Sequence, residues 1–399
     1  MLPLDGVRIL DFFWLGAGPV GSLALSELGA DVIRVESQAR LDKLRESGPY
    51  PGAPSIDHSG VFASINYGKR SISVNIGREG ATRVVDDLVK HCDVVTNNFK
   101  AFMLGRYGLS FDEVRKHNPR VVYITMSTMG AAGPCSSYGA YGSHLSAMAG
   151  INGVTGAEEE VPVGLGPLVP DFSCNPFHAA VAILAGLRHV RTTGEAVSID
   201  VSQLESTIHL IGPLVKQASL TGRQPARVGP HHPWRSPHGV FRCDGDDEWI
   251  TVSVGTDEQW DTFVSVLGGA SASWGTCNTF LGRRQKTEEI RLAIESWAST
   301  RGKWQAATEL LAAGVPAWPV SNLRDQLEID GDLRGQFARV ALDEQAAATV
   351  QRFPIAIAGH AEPLRPPPRL GEHTFDVLKD ILGYGEEQIA NLVATGVLE

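Results

Sequence analysis

The segment VRILDFFWLGAGPVGSLALSELGADVIRVES, residues 7–37, restricts the fold more than any other part of the chain. VRILDF and DVIRVE read as buried strands. GSLALSELGA between them has helical spacing and stops at Gly29. A helix of this length between two apolar strands is the connection that two neighbouring parallel strands need. The turn that enters the helix spells G-x-G-x-x-G at Gly16, Gly18 and Gly21. Turns of this kind let backbone N–H groups at a helix N-terminus face an anion. Pro19 suits the first helical turn, where its missing N–H costs little. Glu36 ends the second strand, close to where a dinucleotide fold places its ribose ligand. On the motif alone, a dinucleotide cradle and a plain strand-to-helix turn both remain open.

The alternation continues. SISVNI, DVVTNN, RVVYITMS and AVSIDV read as strands, and GATRVVDDLVKHC, FDEVRKHN and PFHAAVAILAGLRHV read as helices. This rhythm implies an α/β domain with a mostly parallel sheet. SQLESTIHLIGPLVKQASL reads as one long helix, and TGRQPARVGPHHPWRSPHGV as a connector rich in Pro, His and Gly. Beyond it, GVFRC and WITVSV form strands around the acidic turn DGDDE. Thr256 stands three residues before Gln259, the capping-box spacing. Helices near 287–300 and 303–313 and the strand AWPVS complete a smaller α+β unit. The tail after 373 reads as two short helices.

At 399 residues the chain has room for two or three domains, and 43% hydrophobic with 20% charged residues permits a sizeable core. A net charge of −10 argues against general binding to nucleic acid or an anionic membrane, while leaving room for a local basic pocket. No run approaches about 18 unbroken apolar residues, so no membrane span is expected. The apolar N-terminal run follows Asp5 and Asp11, is broken by Gly and Pro, and has no basic cluster before it, so no targeting signal is expected. Five cysteines without a C-x-x-C pair read as free thiols of a reducing compartment, which places the protein in the cytoplasm.

Few residues offer chemistry. His231, His232 and His238 lie close together, but two are adjacent and no carboxylate motif accompanies them, so no metal site is expected. There is no G-x-S-x-G elbow, Walker loop or H-E-x-x-H. Cys174 reads as a small buried residue. Asp171 stands out: it follows a loop punctuated by glycine and proline and precedes a nearly all-apolar helix. A carboxylate there is either a helix N-cap or a functional group, since burial of an unpaired charge is costly. Both readings stay open on the pattern.

Six stretches in order resemble one family: LDGVRILDF with LGADVIRVE, INYGKRSISVNI, NNFKAFMLGRYGL, NPRVVYITMSTMGAAGP, VPDFSCNPFHAAVAILAGLRHVRTTGEAVSIDVSQLES and RLGEHTFDVLKDILGYGEEQIANLVATGVL. The chain resembles the class III coenzyme A transferases of the CaiB/BaiF type, which include formyl-CoA and carnitine-CoA transferases. The resemblance implies a large Rossmann-like domain with a parallel sheet, a smaller α+β domain, and an interlocked homodimer. It divides the chain into 1–201, the first part of the large domain, a linker 202–224, the small domain 225–322, a linker 323–350, and a C-terminal segment 351–399 that returns to the large domain.

The resemblance also implies an activity: transfer of coenzyme A from an acyl-CoA thioester to a free carboxylic acid. Asp171 matches the family's catalytic aspartate, which forms a mixed anhydride and then an aspartyl-CoA thioester. CoA and acyl-CoA are substrates, and no tightly bound cofactor or metal is implied. Leu15, Gly16 and Ala17 match positions that line the pantetheine and thioester. Asn98, Phe99, Arg106 and Tyr107 match positions that contact CoA, and Ser37 and Val74 lie near the adenine. Arg45 and Lys69 are either phosphate partners or structural ion pairs. The G-x-G-x-x-G match then has no dinucleotide to serve.

Departures from the family's pattern bear on the substrate. Tyr141 stands where related α-methylacyl-CoA racemases carry histidine, which argues against racemase chemistry, although the nearby His144 keeps it as an alternative. The longest glycine run is Gly268-Gly269, not the four of formyl-CoA transferases, so oxalate is not expected. The stretches PDF and YGSHLSAMAGINGVTG resemble members acting on medium-sized, aromatic or dicarboxylic acids, and Gly16, in place of a side chain that some relatives aim at the thioester, leaves room for a bulkier acyl group. Outside this chemistry the rivals are a non-catalytic CoA-ester binder and a nicotinamide dehydrogenase.

Overall fold

The computed structural model describes residues 1–166, 168–268, 277–359 and 364–399. Gly269, half of the longest glycine run, lies outside the described residues. Six strands form the main sheet: β1 (Arg8–Phe12), β2 (Asp31–Glu36), β3 (Arg70–Ser73), β4 (Val94–Asn97), β5 (Val122–Thr125) and β6 (Val197–Asp200). Their order is β3-β2-β1-β4-β5-β6, and every pair is parallel. The N-terminal unit therefore folds as the parallel strand–helix–strand its sequence dictates, with Ala17–Glu27 as the crossover helix.

Strand alternation places consecutive residues on opposite faces. Leu10, Ile33 and Val95 pack on one side with Val84, Val85 and Leu88 of the helix Ala81–Val89. Ile9, Val32 and Val94 pack on the other with Ala17, Leu25 and Ile183. Burial on both faces explains why the strands read as continuous apolar runs. The helix Asn175–Thr193 lies so close to the sheet that a Cβ on Gly186 would come 2.7 Å from Val122.

The chain divides into two compact units, residues 1–152 with 164–224 and 335–399, and residues 153–163 with 225–334. The second contains the antiparallel sheet β7 (His238–Arg242), β8 (Trp249–Ser253) and β9 (Ala317–Pro319), with helices Asp257–Val266, Thr287–Ala298 and Lys303–Ala312 around a core of Trp260, Phe263, Ile290 and Ile294. In the first unit, a hairpin of β10 (Phe337–Ala341) and β11 (Ala347–Gln351) occupies part of the stretch read as the connector 323–350.

The long helix expected after β6 is two helices, Gln203–His209 and Gly212–Thr221. Pro213 explains the break: it has no N–H to continue the first helix, and its ring disfavours a helical residue before it, yet it suits the first turn of the second. The short helix Phe280–Gln285 falls in a stretch without apolar periodicity and was not legible.

Candidate active site

In sheets of this strand order, the crevice for ligands opens at the carboxyl ends of the strands where the order reverses, here between β1 and β4. The turn after β1 carries Trp14, Leu15 and Gly16, and the turn after β4 carries Asn98 and Phe99. The two are clamped together. The Trp14 N–H donates to Asn98 Oδ1 at 2.9 Å, and Asn98 Nδ2 donates to the Trp14 carbonyl at 2.7 Å. Trp14 meets Phe99 edge to face with ring centroids 5.4 Å apart.

Leu15 takes φ of 61°, a left-handed conformation that a side chain adopts only when its surroundings enforce it. Its N–H donates to Asp42 Oδ2 at 3.1 Å. Asp42 is buried and paired with Arg34, whose other nitrogen donates to the Phe13 carbonyl at 2.6 Å. Arg34 also pairs with Glu36, and Arg45 bridges Glu36 at 2.7 Å and Asp57 at 2.9 Å. Although burial opposes ionisation, Arg34 and Arg45 hold the Glu36 carboxyl down at about 2. Lys69, pulled to about 7 by burial, donates to the Pro19 carbonyl, Ser22 and Asn66. Arg45 and Lys69 are thus committed inside the protein; of the two readings open for them, the structural one holds, because neither side chain reaches solvent.

Asp171 sits on a single helical turn, Val169–Phe172, and not at the N-cap of the following helix, a place held by Cys174. A Cβ on Gly16 would lie 3.3 Å from Asp171 Cβ, so the absent side chain of Gly16 lets the two segments touch. Burial raises the Asp171 carboxyl to about 6, opposed by a hydrogen bond from the Gly142 N–H at the start of the helix Gly142–Met148. The group is partly shielded, has no cationic partner among its perturbing groups, and remains ionised at neutral pH.

Two clefts line the mouth of the crevice. One, of about 140 Å³, has walls of Phe12, Trp14, Val35, Val74, Phe99 and Tyr107. Ser37 is at its edge, where Glu399 accepts from the Ser37 hydroxyl at 2.7 Å and the Gln38 N–H at 2.6 Å. Burial pushes the Glu399 carboxyl up, but the hydrogen bonds from Ser37, Asn75, Ala39 and Gln38 outweigh it and hold the group below its ordinary value. The other, of about 550 Å³, is bordered by Trp14, Leu15, Arg40, Asn98, Phe99 and Tyr141. Both share Trp14, Ala39, Arg40 and Phe99, so they run on from one another.

The structure therefore brings together Leu15, Gly16, Ser37, Val74, Asn98, Phe99, Tyr107 and Asp171. Ala17 and Arg106 line neither cleft: Ala17 is in the core beside Ile9 and Phe13, and Arg106 is exposed on the turn Leu104–Tyr107. His144 is exposed, and its Nδ1 accepts the Tyr141 N–H at 3.5 Å, a helix-capping contact. Cys174 is buried with Sγ 3.7 Å from the Pro170 carbonyl. Among the described residues no three His, Cys, Asp or Glu side chains gather as metal donors, and no helix is long and apolar enough to cross a membrane.

Sequence reasoning missed Trp14, Arg40, Asp42 and Gly142. Trp14 adjoins the glycine loop and is the one a closer reading could have raised. Asp42 and Gly142 work through contacts that no spacing reveals.

The remaining glycines of the motif face protein. A Cβ on Gly18 would lie 2.5 Å from Phe13 Cγ, and one on Gly21 2.9 Å from the Pro176 carbonyl oxygen. The parallel sheet, the crevice at the β1–β4 reversal and the shielded aspartate beside it define an α/β protein of doubly wound type. Residues 4–374 match the sequence profile of CoA-transferase family III, and the chain belongs to that family of transferases. It is 28% identical to the succinyl-CoA–L-malate CoA-transferase beta subunit of Chloroflexus aurantiacus, over 100% of this chain and 98% of that one. It is 30% identical to the succinyl-CoA:glutarate CoA-transferase of Mus musculus, over 100% of this chain and 91% of that one. Among solved structures, a CaiB/BaiF family protein from Brucella suis superposes with a TM-score of 0.86 at 27% identity, covering 95% of this chain and 99% of that one.

Proposed function

We propose that this protein transfers coenzyme A between short dicarboxylic acids, with Asp171 as the nucleophile. The observation that carries the reading is a carboxylate raised to about 6 by burial, in contact with Gly16 at the turn that borders the larger cleft. Such a group needs no separate base at neutral pH, because it is already ionised and only partly hydrated. The names of the relatives, succinyl-CoA with malate or glutarate, support a dicarboxylic donor and acceptor.

The cycle follows from the residue type. An Asp171 oxygen bonds to the acyl carbon and the carbon–sulfur bond breaks, giving a mixed anhydride and CoA thiolate. The thiolate sulfur attacks the aspartyl carbon, the anhydride carbon–oxygen bond breaks, and the donor acid leaves. The acceptor carboxylate attacks the resulting aspartyl thioester and the same two steps run in reverse. Each attack places negative charge on an oxygen beside Asp171, and the Gly142 N–H is a fixed donor there.

We also propose a homodimer. The helix Gly212–Thr221 has no buried residue and exposes Val215 and Leu220, apolar surface that a second copy would cover. Light scattering reads that state.

The test is mass spectrometry with a panel of acyl-CoAs and acids. New CoA esters are expected from wild type with succinyl-CoA and malate or glutarate, and hydroxylamine added during turnover should modify Asp171. Asp171→Ala should lose transfer by several orders of magnitude. Modification at another residue, or product from Asp171→Ala at more than about a hundredth of the wild-type rate, overturns the reading.

A further inference from the structure

The three histidines that the sequence sets close together line neither of the clefts described above. They line a separate pocket of about 80 Å³, contained within the second unit, between the loop before β7 and the helix Thr287–Ala298. Its charged lining, Arg235, Arg284 and Arg291, has one sign; His231, His232 and His238 stand beside these groups, and no Asp or Glu is among the lining residues. For a chain of net charge −10, this is a local inversion.

The cations are unequally satisfied. Arg291 is paired with Glu288 at 2.6 Å and with Glu295, both on its own helix. Arg235 donates to Ser253 Oγ at 3.2 Å, and His238 Nδ1 shares that hydroxyl at 2.9 Å, so neither contact supplies a counter-charge. Arg284 and His231 form no ion pair or side-chain hydrogen bond among the described residues. The rings of His232 and His238 are 4.9 Å apart. Burial, His232 and Arg235 together push the His238 imidazole below its ordinary value, in that order of weight. The histidines do not converge as metal donors, and guanidinium groups beside them would repel a cation.

Apart from Ser236 and Thr287, the remaining walls are apolar. Phe241 and Ile290 are buried beneath the pocket, and Pro230, Pro237 and Val240 complete its sides. Guanidinium forks match the planar geometry of a carboxylate, and apolar walls accept a short carbon skeleton better than they accept a fully hydrated inorganic anion. We propose that this pocket in the second unit binds the carboxylate of a small organic acid, at residues distinct from those around Asp171.

The test uses the full chain as Asp171→Ala, without any acyl-CoA, so that turnover plays no part. Succinate is titrated while the imidazole signals of His231, His232 and His238, assigned by single His→Gln variants, are followed by NMR. Inorganic phosphate is titrated in parallel. Saturable shifts of these signals with succinate are expected, weakened about tenfold by Arg284→Gln and by Arg235→Gln, since each removes one charge-assisted contact. Arg242→Gln, a nearby cation outside the lining, should leave binding unchanged, and thermal unfolding confirms that each variant is folded. Unmoved histidine signals overturn the proposal. Phosphate binding as tight as succinate overturns the organic-acid assignment, because the apolar walls would then contribute nothing. Absence of CoA transfer by wild type would sink the function proposed above while leaving this binding result standing.

Discussion

Replacing Asp171 by Asn should stabilise the protein while abolishing its proposed activity. The ordinary aspartate value of 3.8 rises to about 6 in the native state, through burial that the Gly142 hydrogen bond only partly offsets. At about 1.4 kcal/mol per tenfold change in proton affinity, the displacement corresponds to roughly 3 kcal/mol against the ionised native form. The side chain is only partly shielded, so solvent screening leaves about 1–2 kcal/mol. The sign follows from proton counting. Between about pH 4 and 6 the native carboxyl retains a proton that the unfolded chain has released, so stability falls as pH rises through that window and stays at the lower level above it. Asn keeps the shape without the charge. Thermal unfolding of both proteins without substrate should show Asp171→Asn melting a few degrees higher at pH 7.5, with about half that gap at pH 5. The pH profile of kcat/KM should fall below about pH 6, where Asp171 takes up its proton and ceases to be a nucleophile. An Asn variant no more stable than wild type at pH 7.5, or a gap of the same size at both pH values, refutes the shielded carboxylate.

Three further changes probe the surroundings. Gly18→Ala should lower stability by about 1–3 kcal/mol in urea unfolding, because its Cβ would meet Phe13 at 2.5 Å in a packed core; an unchanged midpoint would show that the turn has slack. Asn98→Ala removes both hydrogen bonds to Trp14 and with them a support of the left-handed Leu15, so steady-state transfer should slow by about tenfold or more at unchanged melting temperature. His144→Gln should leave transfer within about twofold, since His144 is exposed and makes only a capping contact; incorporation of deuterium from solvent into a 2-methylacyl-CoA that is lost in this variant would restore the racemase alternative.

The parallel sheet was legible because both faces of its central strands are buried, and the chain writes that as uninterrupted apolar runs such as RILDF and DVIRVE. Asp171 was legible as an anomaly, a charge between apolar stretches, but pattern alone allowed an N-cap, and only the structure gives that place to Cys174. Arg45 and Lys69 show the limit. A cation near a binding loop reads the same whether it faces solvent or a buried acid, and the partners Glu36, Asp57, Asn66 and Ser22 emerge only once the chain has folded around β2 and β3. Ala17 and Arg106 were placed by resemblance, which fixes a backbone position but not its surroundings: Ala17 packs in the core, and Arg106 stands exposed on the turn Leu104–Tyr107.

The glycine loop shows why a motif can be met in full and still mean something else. A dinucleotide fold spends its glycines on a tight turn, on the approach of a pyrophosphate and on close packing of helix against strand. Here the close approaches are filled by protein. Gly18 admits the Phe13 ring, Gly21 admits the Pro176 carbonyl, and Gly16 admits the Asp171 side chain. The first two contacts seat the helices Ala17–Glu27 and Asn175–Thr193, and the third brings a carboxylate to the turn that borders the cleft. The same strand–turn–helix geometry that would cradle a phosphate thus positions a negatively charged group of its own, and a diphosphate at that spot would face Asp171 with no cation among its perturbing groups to offset the repulsion.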